Sequence, residues 1–138
     1  MKGKLHRVGT IYIPVSDPGK AAEWYREKLD AKENFRNDEK AIMDFANQSF
    51  FLVKAKSSEK LNFTDDKDNE HFTVTFEVNG LMELEKLHKA FMKKGINVGD
   101  IEDRGHPGRN FVFYDLDRNK FDVWSELSPD FKERYQID

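Results

Sequence analysis

A chain of 138 residues predicts one domain, long enough to bury roughly two thirds of its unfolded-chain surface. Charged residues make up 36%, the net charge is -3, and Lys and Arg alternate with Asp and Glu, so there is no basic stripe for nucleic acid. The absence of cysteine excludes disulfides, zinc–thiolate sites and thiol nucleophiles, and no apolar run reaches signal-peptide or membrane-spanning length; a cytoplasmic protein with no membrane partner is the expectation.

The first ordered stretch is predicted from Leu5 to Val15, where Ile11, Ile13 and Val15 alternate with Thr10, Tyr12 and Pro14 at strand period. Asp17 is placed to cap a helix whose first position suits Pro18. Ala21, Tyr25 and Leu29 then recur at helical spacing, and the helix is expected to stop near Leu29 and Asp30. Short strands are predicted at 31–36, 41–45 and 49–55. The run from Lys56 to Glu70 is rich in Lys, Asp, Ser and Asn and reads as a solvated linker.

The pattern then restarts. A strand from His71 to Val78 alternates Phe72, Val74, Phe76 and Val78 against Thr73, Thr75 and Glu77. A helix from Leu81 to Lys94 follows, with Leu84, Leu87 and Phe91 along one face and Gly95 as its stop. Strands are predicted at 96–102, 110–114 and 120–126, a loop at 105–108, a hairpin turn at 115–119 and a short helix in the tail. The order of elements is an internal repeat: module 1 at about 5–55, linker 56–70, module 2 at about 71–126 and a tail at 127–138. Val15 matches Val78 at offset 78 − 15 = 63. Phe45 matches Leu116 at offset 116 − 45 = 71, so the two final hairpins align without a gap.

Alternation also assigns faces. Helices need a sheet face to bury their apolar stripes, and Ile11, Ile13, Val15, Phe50, Leu52, Phe72, Val74, Phe76, Val78, Phe121 and Val123 supply it. The opposite face carries Thr10, Tyr12, Phe51, Val53, Thr73, Thr75, Asp122 and Trp124. Aromatics, small hydroxyls and one carboxylate are the usual lining of a ligand cleft; the plain alternatives are a dimer interface or a second packed layer. Thr10, Tyr12, Phe51, Thr73, Thr75 and Trp124 are therefore the candidate ligand-binding residues. Asp122 is the candidate catalytic residue, since desolvation beside Trp124 and Phe51 would raise its pKa and suit it to general acid–base work. The plain reading of Asp122 is an ion pair with an Arg, or acceptance from the Thr10 and Thr73 hydroxyls.

The stretch Ile13-Pro14-Val15-Ser16-Asp17, with Ala22, Trp24-Tyr25-Arg26 and Leu29, resembles the opening signature of the glyoxalase/bleomycin resistance (vicinal oxygen chelate) superfamily. Tyr114 to Asp122 resembles its closing hairpin, with Leu116 and Arg118 in place of the usual Pro and Gly, and Asp30 stands where Gly is usual at the end of the first helix. The resemblance implies an α+β fold in which two βαβββ modules form a curved, eight-stranded half-open barrel with helices on the outer face; many relatives are homodimers. It also implies metal positions at Thr10, Phe51, Thr73 and Asp122. Only Asp122 is a normal ligand type, so no metal is predicted. His71, Asp122 and Glu126 are the alternative set for a divalent ion (Zn, Mn, Ni or Fe). The other histidines read as a rim residue (His6), a helix-surface residue (His88) and a loop residue able to fold over the cleft (His106). The resulting expectation is a cleft binding an unknown small molecule without the usual metal. The alternatives are a metal-dependent lyase, isomerase, dioxygenase or thiol transferase, and a module whose cleft is vestigial.

Overall fold

The computed structural model of the chain describes residues 3–138. The chain forms two compact units, one ending at Lys60 and one running from Leu61 to Asp138. Among the described residues no helix is long and apolar enough to cross a membrane.

The first unit contains β1 (Thr10–Val15), α1 (Pro18–Leu29), β2 (Lys32–Arg36), β3 (Lys40–Phe45) and β4 (Gln48–Lys54). Its sheet runs β1-β4-β3-β2, with β1 parallel to β4 and the other pairs antiparallel. The Asp17 side chain accepts from the Lys20 N–H at 3.1 Å, and Pro18 opens the helix. Asp30 closes it in the left-handed conformation, φ 55°. The helix buries Ala21, Ala22 and Tyr25; the Tyr25 ring lies 5.7 Å from Phe45, which stacks on Phe50. Ile13, Val15, Ala41, Met43, Phe50 and Leu52 complete this core, so the face assigned from alternation holds in this unit. The turn at Ala46 and Asn47 has φ of 50° and 57°, the two positive values that a two-residue hairpin with matching twist demands.

The second unit begins inside the segment read as linker. It holds β5 (Phe63–Thr64) and β6 (Glu70–His71), which pair as a small hairpin. The unit continues with β7 (Thr75–Glu77), α2 (Leu81–Lys93), β8 (Asn97–Val98), β9 (Asn110–Tyr114), β10 (Lys120–Trp124) and α3 (Pro129–Tyr135). The larger sheet runs β7-β10-β9-β8, again with the first pair parallel and the rest antiparallel. Leu84 and Phe91 of α2 are buried with Phe111, Phe113, Phe121 and Val123, and Gly95 ends the helix at φ 76°. The two units thus repeat one βαβββ topology within an α+β chain, and neither four-stranded sheet closes on itself.

Several expectations are corrected. The first strand begins at Thr10 rather than Leu5, because its partner β4 begins at Gln48 and in the same register Arg7 and Val8 fall opposite the turn at Ala46 and Asn47. Leu5 is 99% exposed, and His6 lies outside the strand. The strand predicted over 71–78 shrinks to Thr75–Glu77. His71 instead pairs with Phe63, and the chain bends at Thr73, which is exposed. Residues 56–70 are not merely solvated: Leu61 N–H donates to Asn119 Oδ1 at 2.8 Å, and the Asn62 side chain bonds both the Lys120 N–H and the Arg118 carbonyl. The strand predicted over 96–102 reduces to two residues and an isolated bridge between Glu102 and Asn110. His88 is not a surface residue; its Nε2 lies 2.8 Å from the Gly99 carbonyl and its ring packs edge-on against Phe111.

The repeat itself holds, with one change. Tyr12 pairs with Phe51 and Thr75 with Asp122, which gives offsets of 75 − 12 = 63 and 122 − 51 = 71, as expected. Met43, however, pairs with Phe50 and Phe113 with Phe121, so β3 and β9 are related by 113 − 43 = 70. The hairpins therefore differ by one residue. The extra residue lies in the turn from Asp115 to Asn119, where Asp115 Oδ1 accepts from the N–H groups of Asp117 and Asn119. An offset of 71 would have set buried Met43 against half-buried Tyr114 and broken the in–out alternation.

Candidate functional site

Strand β10 lies between β7 and β9, so both its edges are hydrogen-bonded. Phe121 and Val123 face the helix-side core. Asp122, between them, is also buried at 2% exposure. A buried carboxylate needs partners, and Asp122 has three. Its Oδ2 accepts from Thr75 Oγ1 at 3.1 Å and from Asn110 Nδ2 at 2.9 Å. Its Oδ1 lies 3.0 Å from the Arg104 guanidinium. That last contact is an ion pair without hydrogen-bond alignment: among the described residues, Asp122 Oδ1 and Asn110 Oδ1 are the buried side-chain atoms with no hydrogen-bond partner. An unpaired buried acceptor costs about 1–3 kcal/mol.

These groups line a cleft of about 620 Å³ wholly within the second unit. Asn110 and Asp122 are its buried polar residues, with Thr75 beside them. Phe72, Trp124 and Leu127 are half-buried lining; His106, Pro107, Glu126 and Pro129 are exposed at the rim. Trp124 is held in place: its Nε1–H donates to the Pro107 carbonyl at 2.9 Å, and the His106 ring meets it edge-on at 5.9 Å. Arg104 is held from the other side by Glu102, at 2.8 Å and 3.2 Å, and lies 5.5 Å over the Phe72 ring.

The structure thus gathers Thr75, Asp122, Trp124 and Glu126 in one cleft, with His106 at its rim. It does not place Thr73 there. His71 is turned away: its Nδ1 lies 2.7 Å from the Phe72 carbonyl and its ring stacks on Phe63. Tyr12 and Phe51 meet each other in the first unit, edge to face at 5.3 Å, with Lys40 Nζ over Phe51 at 5.7 Å; Tyr12 is 61% exposed and Thr10 begins the same strand. Phe72, assigned to the core by alternation, lines the cleft, because the bend at Thr73 breaks the strand's period before it reaches Phe72.

Two polar residues of the site were missed, Asn110 and Arg104. Asn110 was legible: Phe111 and Phe113 are core, so alternation along β9 puts Asn110 and Val112 on the face of Asp122, whose cross-strand partner is Val112. Arg104 carries no such signal, because it lies in an irregular loop brought to Asp122 by the fold. The simpler alternative for Asp122, an Arg pair plus a threonine hydroxyl, is the one observed, with Thr75 rather than Thr10 or Thr73 as donor.

The positions that the family resemblance implies for a divalent ion do not fit one. Phe51 has no donor atom, Thr73 is an exposed residue of a bend, and the one carboxylate, Asp122, already faces a cation. Among the described residues no three His, Asp or Glu side chains gather as a metal-holding group; of the alternative set, Asp122 and Glu126 line the cleft and His71 does not.

Residues 4–123 match the family model described as Glyoxalase/Bleomycin resistance protein/Dioxygenase superfamily. No curated protein sequence matches the chain. Among solved structures, the chain is similar to the genomically encoded fosfomycin resistance protein FosX from Listeria monocytogenes, with TM-score 0.72 and 15% identity over 90% of this chain and 96% of that one. The FosX complex with Mn(II) and sulfate gives TM-score 0.70 and 16% identity over 96% and 99%. Lactoylglutathione lyase from Agrobacterium tumefaciens gives TM-score 0.67 and 14% identity over 89% and 96%.

Proposed function

Since the chain belongs to the glyoxalase/bleomycin resistance protein/dioxygenase superfamily, we propose that it binds a small organic molecule in the cleft of its second unit and does so without a divalent metal. The observation that supports this reading is the Arg104–Asp122 pair. The carboxylate standing at the family's closing metal position is 2% exposed and already has a guanidinium 3.0 Å away. A divalent ion would have to displace that cation and would gain one carboxylate, where a catalytic site requires about three protein ligands. The remaining lining suits an organic ligand: Trp124, Phe72 and Leu127 offer apolar surface, and a few convergent polar groups set orientation.

Metal content of the untagged protein, dialysed after exposure to zinc, manganese, nickel and iron(II), tests the metal-free part. The expected result is background metal in every case. Near-stoichiometric metal that disappears in Asp122→Asn would overturn it and favour the metal-dependent alternative, in keeping with the FosX structure that holds Mn(II). A compound screen by thermal shift tests the binding part, since a ligand specific for the folded state raises Tm.

A further inference from the structure

We infer that the cleft selects a ligand with a cationic, N–H-bearing head, an amidinium, guanidinium or primary ammonium, on a flat apolar body. This rests on the reading of the cleft as a small-molecule site and names the chemistry that site accepts.

The cleft has two buried acceptors without a hydrogen bond, Asn110 Oδ1 and Asp122 Oδ1, the second of them facing the Arg104 guanidinium at 3.0 Å. Asp122 Oδ2 is satisfied by Thr75 and Asn110, so a ligand head engages Oδ1, where it takes the place of the Arg104 guanidinium. The Asn110 amide cannot be turned to hide its own oxygen. Its Nδ2 donates to Asp122 at 2.9 Å, and a flip would set oxygen against oxygen. Oδ1 of Asn110 therefore stays an acceptor without a hydrogen bond, on a residue only 3% exposed that lines the cleft. Two acceptors on adjacent residues call for a head with more than one N–H, and buried acceptors discriminate strongly against ligands that lack the donor.

Charge points the same way. Arg104 contributes one positive charge, while Asp122, Glu126 and Glu102 beside it contribute three negative ones. The excess of negative charge favours a cation and opposes an anion. Arg104 is itself an internal instance of the proposed ligand: a planar cation on Asp122 with its face 5.5 Å over an aromatic ring. A ligand head takes the Asp122 end of that arrangement, and Glu102 keeps Arg104 at the rim. The Trp124 ring, fixed by Pro107, receives the flat body.

The test is a titration of the full chain with benzamidine, benzoate and toluene, each to about 10 mM, where even weak binding registers. The readout is the Trp124 indole N–H resonance, assigned by its loss in Trp124→Phe. Benzamidine is expected to bind about tenfold or more tighter than either competitor, to weaken about tenfold in Asp122→Asn, and to tighten in Arg104→Met, where the internal competitor is gone. Should either variant fail to fold, the three probes on the native chain still decide the matter. Benzoate or toluene binding as tightly as benzamidine would overturn the inference while leaving the cleft a small-molecule site. Silence from all three overturns it as well, and stoichiometric metal at Asp122 would overturn the function reading beneath it.

Discussion

At the scale of single residues, the cleft depends on a few atoms whose replacements have calculable effects. Gly108 stands at φ 80°, and a Cβ built there would lie 2.6 Å from Ser125 Oγ and 2.8 Å from Trp124 Nε1. Neither atom is the end of a flexible chain: Ser125 Oγ accepts from the Arg109 N–H and Trp124 Nε1 is bound to Pro107. Left-handed strain and overpacking together predict that Gly108→Ala loses about 2–4 kcal/mol, measurable as a lowered urea midpoint with altered Trp124 emission. Arg118 presents the opposite case. It holds φ 65° in the β9–β10 turn, so an ordinary side chain occupies a conformation that only glycine adopts freely. Arg118→Gly is expected to stabilise by about 0.5–1 kcal/mol, the balance of removed strain against added chain entropy; a lower thermal midpoint would refute this. Arg104→Ala should do the reverse and destabilise by about 3 kcal/mol, because it strands a buried carboxylate without its cation.

The elements differ in how firmly they are anchored. Strand β10 is central, and its neighbours protect its amides on both sides, so β9 and β10 should exchange slowest in the second unit. The β5–β6 hairpin is two residues per strand and relies on its turn. There, Asp65 Oδ1 accepts from the N–H groups of Asn69 and Lys67, both at 2.9 Å. Those two bonds, Asn69 first, hold the Asp65 carboxyl below its usual range. A depressed folded-state value means a stabilising contribution that is complete above the unfolded pKa of about 3.9 and disappears as pH falls through the lower folded value. Asp65→Ala should therefore melt below the native chain at pH 7, with the gap closing in acid; a gap that is constant with pH would count against the carboxylate bonds. The fully exposed position makes the effect small.

At the scale of the whole chain, charge sets solution behaviour. A net charge of -3 at pH 7 and an isoelectric point near 5.8 leave modest repulsion between molecules. Solubility in polyethylene glycol is predicted to pass through a minimum close to pH 5.8 and to recover on either side. The same scale carries the repeat. Both four-stranded sheets place their first strand beside their last in parallel, although the two sequences share few identical residues, because in–out alternation and helix placement specify topology more strongly than residue identity does.

Much of this was readable from local order. Period-two alternation marked β1, β4 and β10, and β3 and β9 were placed as short strands in the repeated order. The Asp17–Pro18 start and the Leu84–Phe91 stripe identified the two main helices, and the offset of 63 identified the repeat, because each is a preference expressed within a few residues. Asp122 and Trp124 were placed on one face by the same rule, and Asn110 could have been. What only the tertiary structure decided is how those strands end and what meets them. Arg7 and Val8 stay out of the sheet because the turn at Ala46 and Asn47 falls opposite them, and Phe72 turns into the cleft because the chain bends at Thr73. Arg104 reaches Asp122 from a loop 18 residues earlier in sequence, counted as 122 − 104. Propensity and period act along the chain, whereas a partner strand, a bend or an ion pair across a loop depends on residues that meet only after folding, and it is these that give the cleft its charge.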